Sequence, residues 1–295
     1  MNLFPGNTDI EGATVVNACY GGTSALLNAF LWTESDGWDG RYAIVVAADI
    51  AAYARGGARP TSGAGAVAVL VGRDAPIVFN PRERATHAAN VWDFFKPDHT
   101  VEYPTVDGKL SQVCYYQALE DVYTRFCEKL TKSRITKTGI EEKKTSINGS
   151  EVPDVEICDA KSHDFFVFHA PYNKLVQKSF GRLFFMDARK RFELTGEIDE
   201  AFEKEMLTKP IEETYTDRGL EGILKKQSAA DFKTRLADSN MASKLVGNTY
   251  TASVFLGLAS LIDRAGGRGD LTPGKSIAVF SYGSGALATM YRLSV

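Results

Sequence analysis

Asn17-Ala18-Cys19-Tyr20-Gly21-Gly22-Thr23 decides the reading of this chain, together with the run Ala25-Leu26-Leu27-Asn28-Ala29-Phe30-Leu31-Trp32 that follows it. A cysteine on a turn of small residues, directly ahead of a helix, stands where a nucleophile belongs. The run is apolar on nearly every side, which predicts a buried helix over residues 23–35 with its N-terminus pointing into a site. The positive end of that helix dipole favours thiolate over thiol, so Cys19 is expected to have a lowered pKa. A packed core cysteine is the competing reading, because free cysteine is among the most buried residue types.

Outward from this turn, residues 42–48 and 64–71 are short apolar runs bounded by Gly, Asp and Arg, the pattern of strands buried on both faces. Asp49 ends the first of them, where α/β proteins place functional groups and where capping aspartates are also common. Residues 109–130 predict a helix with Val113, Tyr116, Val122, Tyr123, Phe126 and Leu130 on one face, and with Cys114 and Cys127 in the core. From 131 to 164 the hydrophobic density collapses into a Lys- and Glu-rich stretch, read as a solvated excursion. Phe165-Phe166-Val167-Phe168 restarts the strand pattern, followed by helices over 172–185 and 251–264, the latter buried almost all round. Strands over 276–281 and 286–293 flank Tyr282-Gly283-Ser284-Gly285. The chain divides accordingly into an N-terminal half (1–131), a charged linker (132–164) and a C-terminal half (165–295). The halves echo each other as duplicated α/β units with two buried helices between sheets.

Composition bounds what the protein can do. A chain of 295 residues, 44% hydrophobic and 24% charged, is ordinary for one large globular domain or two coupled ones. A net charge of −3 with no basic stripe gives no field for nucleic acid. No apolar run reaches the roughly 20 residues that span a bilayer, so no membrane partner is expected. Cys19, Cys114, Cys127 and Cys158 form no CxxC pair, and His87, His99, His163 and His169 lack zinc-ligand spacing. Neither a disulfide framework nor a metal site is expected.

His169 ends an apolar strand before Ala-Pro, which presents an imidazole at the rim of a sheet or packs it as a core histidine. Lys174 and Lys178 lie four apart on one helix face, as a phosphate-binding pair or as a solvated surface. The segment 282–285 is a hairpin turn that could also bring backbone N–H groups and the Ser284 hydroxyl to a ligand carbonyl. Asn248-Thr249-Tyr250-Thr251 is an N-cap cluster or a polar contact to substrate. No G-x-S-x-G elbow and no Walker or dinucleotide fingerprint is present.

Six ordered blocks carry a likeness across nearly the whole chain. They are Asn17-Ala-Cys-Tyr-Gly-Gly-Thr, Trp38-Asp-Gly-Arg-Tyr-Ala-Ile-Val-Val-Ala-Ala-Asp-Ile-Ala, Ala58-Arg-Pro-Thr, Tyr103-Pro-Thr-Val-Asp-Gly-Lys-Leu-Ser, Phe168-His-Ala-Pro-Tyr-Asn-Lys-Leu-Val-Gln-Lys-Ser and Phe280-Ser-Tyr-Gly-Ser-Gly. Together they resemble the eukaryotic hydroxymethylglutaryl-CoA synthases. The resemblance implies a thiolase-like α/β fold and the condensation of acetyl-CoA with acetoacetyl-CoA, with no cofactor beyond these substrates. It assigns the acetyl-accepting nucleophile to Cys19 and polarisation of the attacked carbonyl to His169. Contacts to CoA fall to Lys174 and Lys178. Thr61, Ser111, Asn248 and Ser284 would line the site, Asp49 and Asp93 would order its polar network, Tyr20 and Tyr53 would wall it, and Gly283 would supply the tight turn. The family's CoA-contacting asparagine is replaced by Gly57. No residue here matches the family's general-base glutamate, and both ends fall short of the family pattern. The expectation is therefore a synthase with its first half truncated, or else a catalytically impaired CoA-binding paralogue. A homodimer and a cytoplasmic location are implied, with any mitochondrial leader hidden by the short N-terminus.

Overall fold

The computed structural model describes residues 3–138, 144–147, 150–153 and 158–295. Two sheets organise it. Strands β1 (Ala43–Ala51) and β2 (Gly63–Val71) form an antiparallel ribbon in continuous register from Ala43 opposite Val71 to Ala51 opposite Gly63. Strands β3 (Val78–Ala88), β4 (Phe165–Phe168), β5 (Ser276–Gly283) and β6 (Leu287–Ser294) form a second sheet in the order β3-β6-β5-β4. It is mixed: β4 runs parallel to β5, and the other pairs are antiparallel. The long strand β3 has no clear apolar alternation and was not anticipated. It crosses from the N-terminal segment to pair with β6, so the two segments share one sheet.

The helices are α1 (Gly21–Thr33), α2 (Gly108–Thr138), α3 (Asn173–Thr195), α4 (Arg218–Gln227), α5 (Ala237–Val246) and α6 (Ser253–Leu261). Side chains alternate across the central strands, so each face of the second sheet has its own core. Phe166, Phe168, Ala278, Phe280, Ala288 and Met290 point to one side, against Leu119, Val122 and Phe126 of α2 and Val176, Phe180 and Leu183 of α3. Phe165, Val167, Ile277, Val279, Tyr291 and Leu293 point to the other, against Val254 and Leu261 of α6. The opposite side of α6, through Phe255, meets Leu26 of α1 and Val45, Ala47 and Val71 of the ribbon. Helix α6 is thus a layer between the two sheets, but the expected burial almost all round over 251–264 holds only for its first part, since Ala259, Ile262, Asp263 and Arg264 are exposed.

Gly22 marks the closest approach of this middle layer. A methyl group there would stand 2.5 Å from the Phe255 ring, 2.8 Å from the Thr251 carbonyl and 3.0 Å from the Ala47 side chain. Only glycine lets α1, α6 and β1 meet at this point.

Two expectations of burial are corrected. The ribbon is buried on one face, not both: Val45, Ala47, Ala51 and Val71 face inward, while Val46 (65% exposed), Ile50 (72%) and Leu70 (61%) face outward. Helix α1 is likewise not buried all round, since Asn28 and Leu31 are exposed. The reason is the same in both places: one layer of neighbours, α6 with the second sheet behind it, covers only the inner side.

Candidate active site

The turn before α1 is pinned to the second sheet by two buried hydroxyl pairs. The Tyr20 hydroxyl lies 2.6 Å from Thr289 Oγ1 of β6, and Thr23 Oγ1 donates to Ser281 Oγ of β5 at 2.7 Å. Gly283 closes over the same turn. A side chain there would fall 2.8 Å from the Tyr20 nitrogen and 2.9 Å from its Cβ, so the glycine is required by close approach. Ala18 is held in the left-handed region at φ 42°, an uncommon conformation for a residue with a side chain. Cys19 is carried between these anchors, half-buried, at the edge of a cavity of about 350 Å³.

That cavity gathers residues from seven separate segments. Cys19, Asp49, Tyr53, Thr61, Ser111, His169, Asn248 and Ser284 all line it. Asp49 reaches it because it continues the inward alternation of Val45 and Ala47 along β1. Ser111 and Tyr115 share one face of α2, whose first turn is fixed by Asp107 Oδ1 accepting from the Lys109 and Leu110 amides at 3.1 and 3.0 Å. His169 follows the last residue of β4. Its amide donates to the Phe280 carbonyl at 2.7 Å and its carbonyl accepts from the Tyr115 hydroxyl at 2.6 Å, so the backbone is held from both sides.

Asn248 acts on its neighbours rather than as a helix cap. Its amide nitrogen Nδ2 donates to the Tyr53 hydroxyl at 2.9 Å, its Oδ1 accepts from the Tyr250 amide at 2.9 Å, and its own N–H donates to the Thr61 carbonyl at 2.8 Å. The clamp holds Tyr250 at φ 41°, a second left-handed residue on the cavity wall. Tyr53, Phe94 and Tyr250 then form an edge-to-face triangle with ring centroids 6.0–6.2 Å apart.

Electrostatics at the two reactive groups differ from expectation in one case. The Cys19 thiol is pushed well up from its ordinary value, first by burial and next by the Asp49 carboxylate, so the resting group is a thiol and not the thiolate expected from the helix dipole. Two of the helix-end donors are already taken: the Gly21 amide bonds the Ala18 carbonyl, and the Gly22 amide bonds Thr251 Oγ1. Burial pulls His169 down to about 3, which keeps the imidazole neutral near pH 7. Its Nδ1 is buried with no hydrogen-bond partner among the described residues.

Other expected residues stand away from the wall. Tyr20 serves the turn through Thr289, and Gly283 serves it by packing. Asp93 is fully buried, and neither carboxylate oxygen has a hydrogen-bond partner among the described residues. Lys174 is exposed on the first turn of α3, while its neighbours Tyr172 and Leu175 line the cavity. Lys178 is paired at 2.9 Å with Glu221 of α4. Phe94, Val106, Gln112 and Tyr172 were missed as lining residues, while Tyr250 lies in the segment expected to cap a helix or to contact substrate. Phe94 and Val106 are directly opposite in a two-residue strand pair, an apolar pair inside a polar stretch that could have signalled a wall.

Comparison with known proteins agrees with this geometry. The family model for the C-terminal part of hydroxymethylglutaryl-coenzyme A synthase matches residues 77–295, and that for the N-terminal part matches residues 1–76. Hydroxymethylglutaryl-CoA synthase A of Dictyostelium discoideum is 44% identical over 299 residues, covering 100% of this chain and 56% of the relative. The chain belongs to the hydroxymethylglutaryl-CoA synthase family. The Saccharomyces cerevisiae synthase is 43% identical over 296 residues (100% of this chain, 56% of the relative), and the human cytoplasmic synthase 44% over 308 (100% and 54%). The chain therefore spans about half the length of the curated relatives it matches. Among solved structures, MvaS in complex with 3-hydroxy-3-methylglutaryl coenzyme A is 28% identical with a TM-score of 0.70, covering 95% of this chain and 58% of that one. The fold is the thiolase-like α/β arrangement of these synthases.

Proposed function

We propose that this chain carries the condensing centre of a hydroxymethylglutaryl-CoA synthase, an acyltransferase of isoprenoid-precursor (mevalonate) metabolism. The observation that supports it most is the presence of Cys19 and a neutral His169 on one cavity wall. Cys19 sulfur attacks the acetyl carbonyl of acetyl-CoA, its proton leaves to a base as the S–C bond forms, and CoA departs as the thiol. Because the resting group is a protonated thiol, proton removal is part of this step and not a prior ionisation. The acetyl methyl then gives up a proton to a base, the resulting carbanion adds to the C3 carbonyl of acetoacetyl-CoA, and the carbonyl oxygen takes up a proton to become the tertiary hydroxyl. A neutral imidazole suits that oxygen, donating a hydrogen bond as negative charge develops. Water cleaves the Cys19 thioester to release the product.

Asn248, Thr61, Ser111 and Ser284 hold the acyl groups in this reading and Tyr53 walls them, with Asp49 ordering the polar surroundings from the wall and Asp93 acting on them through its charge alone. Lys174, exposed beside the cavity-lining turn, meets a CoA phosphate. Lys178 does so after exchanging Glu221 for it. An MvaS structure holding 3-hydroxy-3-methylglutaryl coenzyme A and an HMG-CoA synthase complexed with CoA (26% identical, TM-score 0.63, covering 95% of this chain and 55% of that one) support CoA thioesters as ligands. No comparison favours the non-catalytic paralogue. Pairing as a homodimer, the division at 131 and 165, and a cytoplasmic location like that of the human relative complete the proposal. Among the described residues no helix is long and apolar enough to cross a membrane.

Incubation with radiolabelled acetyl-CoA should leave label on the protein as a thioester at Cys19, and Cys19→Ala should carry none. Label that survives the substitution rejects the assignment.

A further inference from the structure

Behind the cavity, at the far end of α2, a second cluster of nucleophilic and titratable side chains takes no part in the reaction proposed above. Cys127 and Cys158 are both buried, at 2% and 1% exposure, and the Cys127 thiol is in side-chain hydrogen-bond contact with Cys158. One hydroxyl holds both backbones in place: Thr131 Oγ1 donates to the Cys127 carbonyl at 2.9 Å and accepts from the Cys158 amide at 3.2 Å. Cys158 Sγ lies 3.7 Å from His163 Nε2, and that imidazole stacks on Phe126 with 5.4 Å between centroids. His163 Nδ1 is buried without a partner.

The turn that carries Cys158 is a built one. Asp159 Oδ1 accepts from the Ser162 amide at 2.9 Å and from its hydroxyl at 3.1 Å. Asp187 of α3 accepts from the Ala160 amide at 2.9 Å and from the Tyr123 hydroxyl at 2.7 Å. The Arg235 guanidinium donates to the Ala160 and His163 carbonyls. Helix α2 and this turn therefore hold two interacting thiols on well-anchored supports.

We propose that Cys127 and Cys158 form an oxidisable dithiol, closed to an intramolecular disulfide by a hydroperoxide or a low-molecular-weight disulfide. With its hydrogen on Nδ1, His163 accepts the Cys158 proton at Nε2. The thiolate attacks the peroxide oxygen while His163 returns the proton to the leaving oxygen, giving a sulfenic acid and an alcohol (water where the oxidant is hydrogen peroxide), or in a proton-balanced exchange attacks a disulfide sulfur, giving a mixed disulfide and one free thiol. Cys127 then displaces the leaving group, its own proton departing with it as water or a second thiol. Two S–H bonds are lost, one S–S bond forms, and the oxidant takes up two electrons and two protons. The bridge fastens the helix that carries Ser111 to the lead-in of the strand that precedes His169. The hydrogen bond with Cys158, and after it burial, raise the Cys127 thiol, so closure is slow and follows local opening of the contact.

The reduced full chain, treated with hydrogen peroxide and separately with glutathione disulfide, then denatured, alkylated and digested, should yield a Cys127–Cys158 linked peptide. Cys114 should remain alkylatable, and the thermal midpoint should rise by about 5 °C and fall back on reduction. Cys158→Ser and Cys127→Ala should each abolish the linked peptide and the midpoint rise. The proposal is overturned if both thiols stay alkylatable in the oxidised chain, if Cys158 links to a different cysteine, or if the midpoint does not respond. No step of this test uses a CoA thioester, so its outcome is independent of the proposed reaction.

Discussion

Strands β1 and β5 read almost alike as continuous apolar runs, yet the fold treats them differently. All eight residues of β5 are buried, whereas β1 alternates, with Val45 and Ala47 inside and Ile44, Val46 and Ile50 outside. The cause is neighbours. β5 is flanked in its sheet by β4 and β6 and covered on its two faces by separate cores, while β1 has one strand partner and one covered face. An apolar run permits burial on both sides; the elements around it decide whether that happens. The same contrast separates the functional residues. Asp49 must use the inner face of β1 to reach the cavity, whereas β5 delivers Tyr282 to the wall from a strand that is closed everywhere.

The largest effect should come from breaking the closed strand. Val279→Asp places a carboxylate among Phe165, Val167 and Ile277 with no partner, and should cost more than about 4 kcal/mol or abolish cooperative unfolding in urea. A loss under about 1 kcal/mol would mean that this side of β5 is solvated.

How much of this was legible beforehand follows from the same physics. The turn at Cys19, the strands at β1, β2, β4, β5 and β6 and the buried α6 show local signatures of small residues or apolar runs, and their limits lie within a few residues of expectation. Strand β3 escaped because Asn80, Pro81, Arg82, Glu83 and Arg84 break the apolar pattern, and its pairing with β6 spans some two hundred residues. Several residues named from family blocks line one cavity, but Phe94 and Gln112 were not anticipated there, because their roles depend on segments brought together only by folding. The thiol state of Cys19 was misread for a related reason. Helix-end donors could be foreseen, but not that Ala18 and Thr251 consume them.

A second, smaller effect is set by pH and sharpens the contrast at the rim of the closed sheet. His169, held down to about 3 by burial, takes up a proton in the unfolded chain below its ordinary value near 6.5. The unfolded state therefore binds more protons between those values, and stability present above about 6.5 is lost as pH falls, by on the order of 4 kcal/mol at pH 3. Asp187 has the opposite sign. Burial raises it to about 7, so its contribution is fully present below its ordinary 3.8 and is lost as pH rises toward 7. Urea midpoints across pH 4–7 should thus vary weakly in the native chain, fall more steeply toward acid in Asp187→Asn, and flatten or invert in His169→Gln. Identical slopes in all three would reject buried titration at both positions.

At the seam between the regions, Gly22→Ala forces a methyl into Phe255, the Thr251 carbonyl and Ala47. It should destabilise by about 1–3 kcal/mol. It should also weaken acetyl labelling of Cys19 disproportionately, because the turn and α1 move together. Loss of stability with labelling intact would show that the turn is fixed by the Tyr20 and Thr23 hydroxyl pairs alone.

The smallest effect is expected on the open face, and it is the sharpest test of the comparison. Val46 stands opposite Ala68 on β2, between Ile44 and Ile50, with 65% of its surface exposed. Its replacement by Lys removes no buried contact and retains an aliphatic stem that can lie along the ribbon. Val46→Lys should therefore change the unfolding free energy by no more than about 0.5 kcal/mol, within the range of ordinary surface substitutions. A cost above about 2 kcal/mol would require that something covers this face in solution. Repeating the measurement at several protein concentrations identifies the cover: a penalty that grows with concentration belongs to a second copy of the chain, and one that does not belongs to a contact within it. In either case the two strands would differ less than their exposures indicate, and the open face would have to be counted as part of the core.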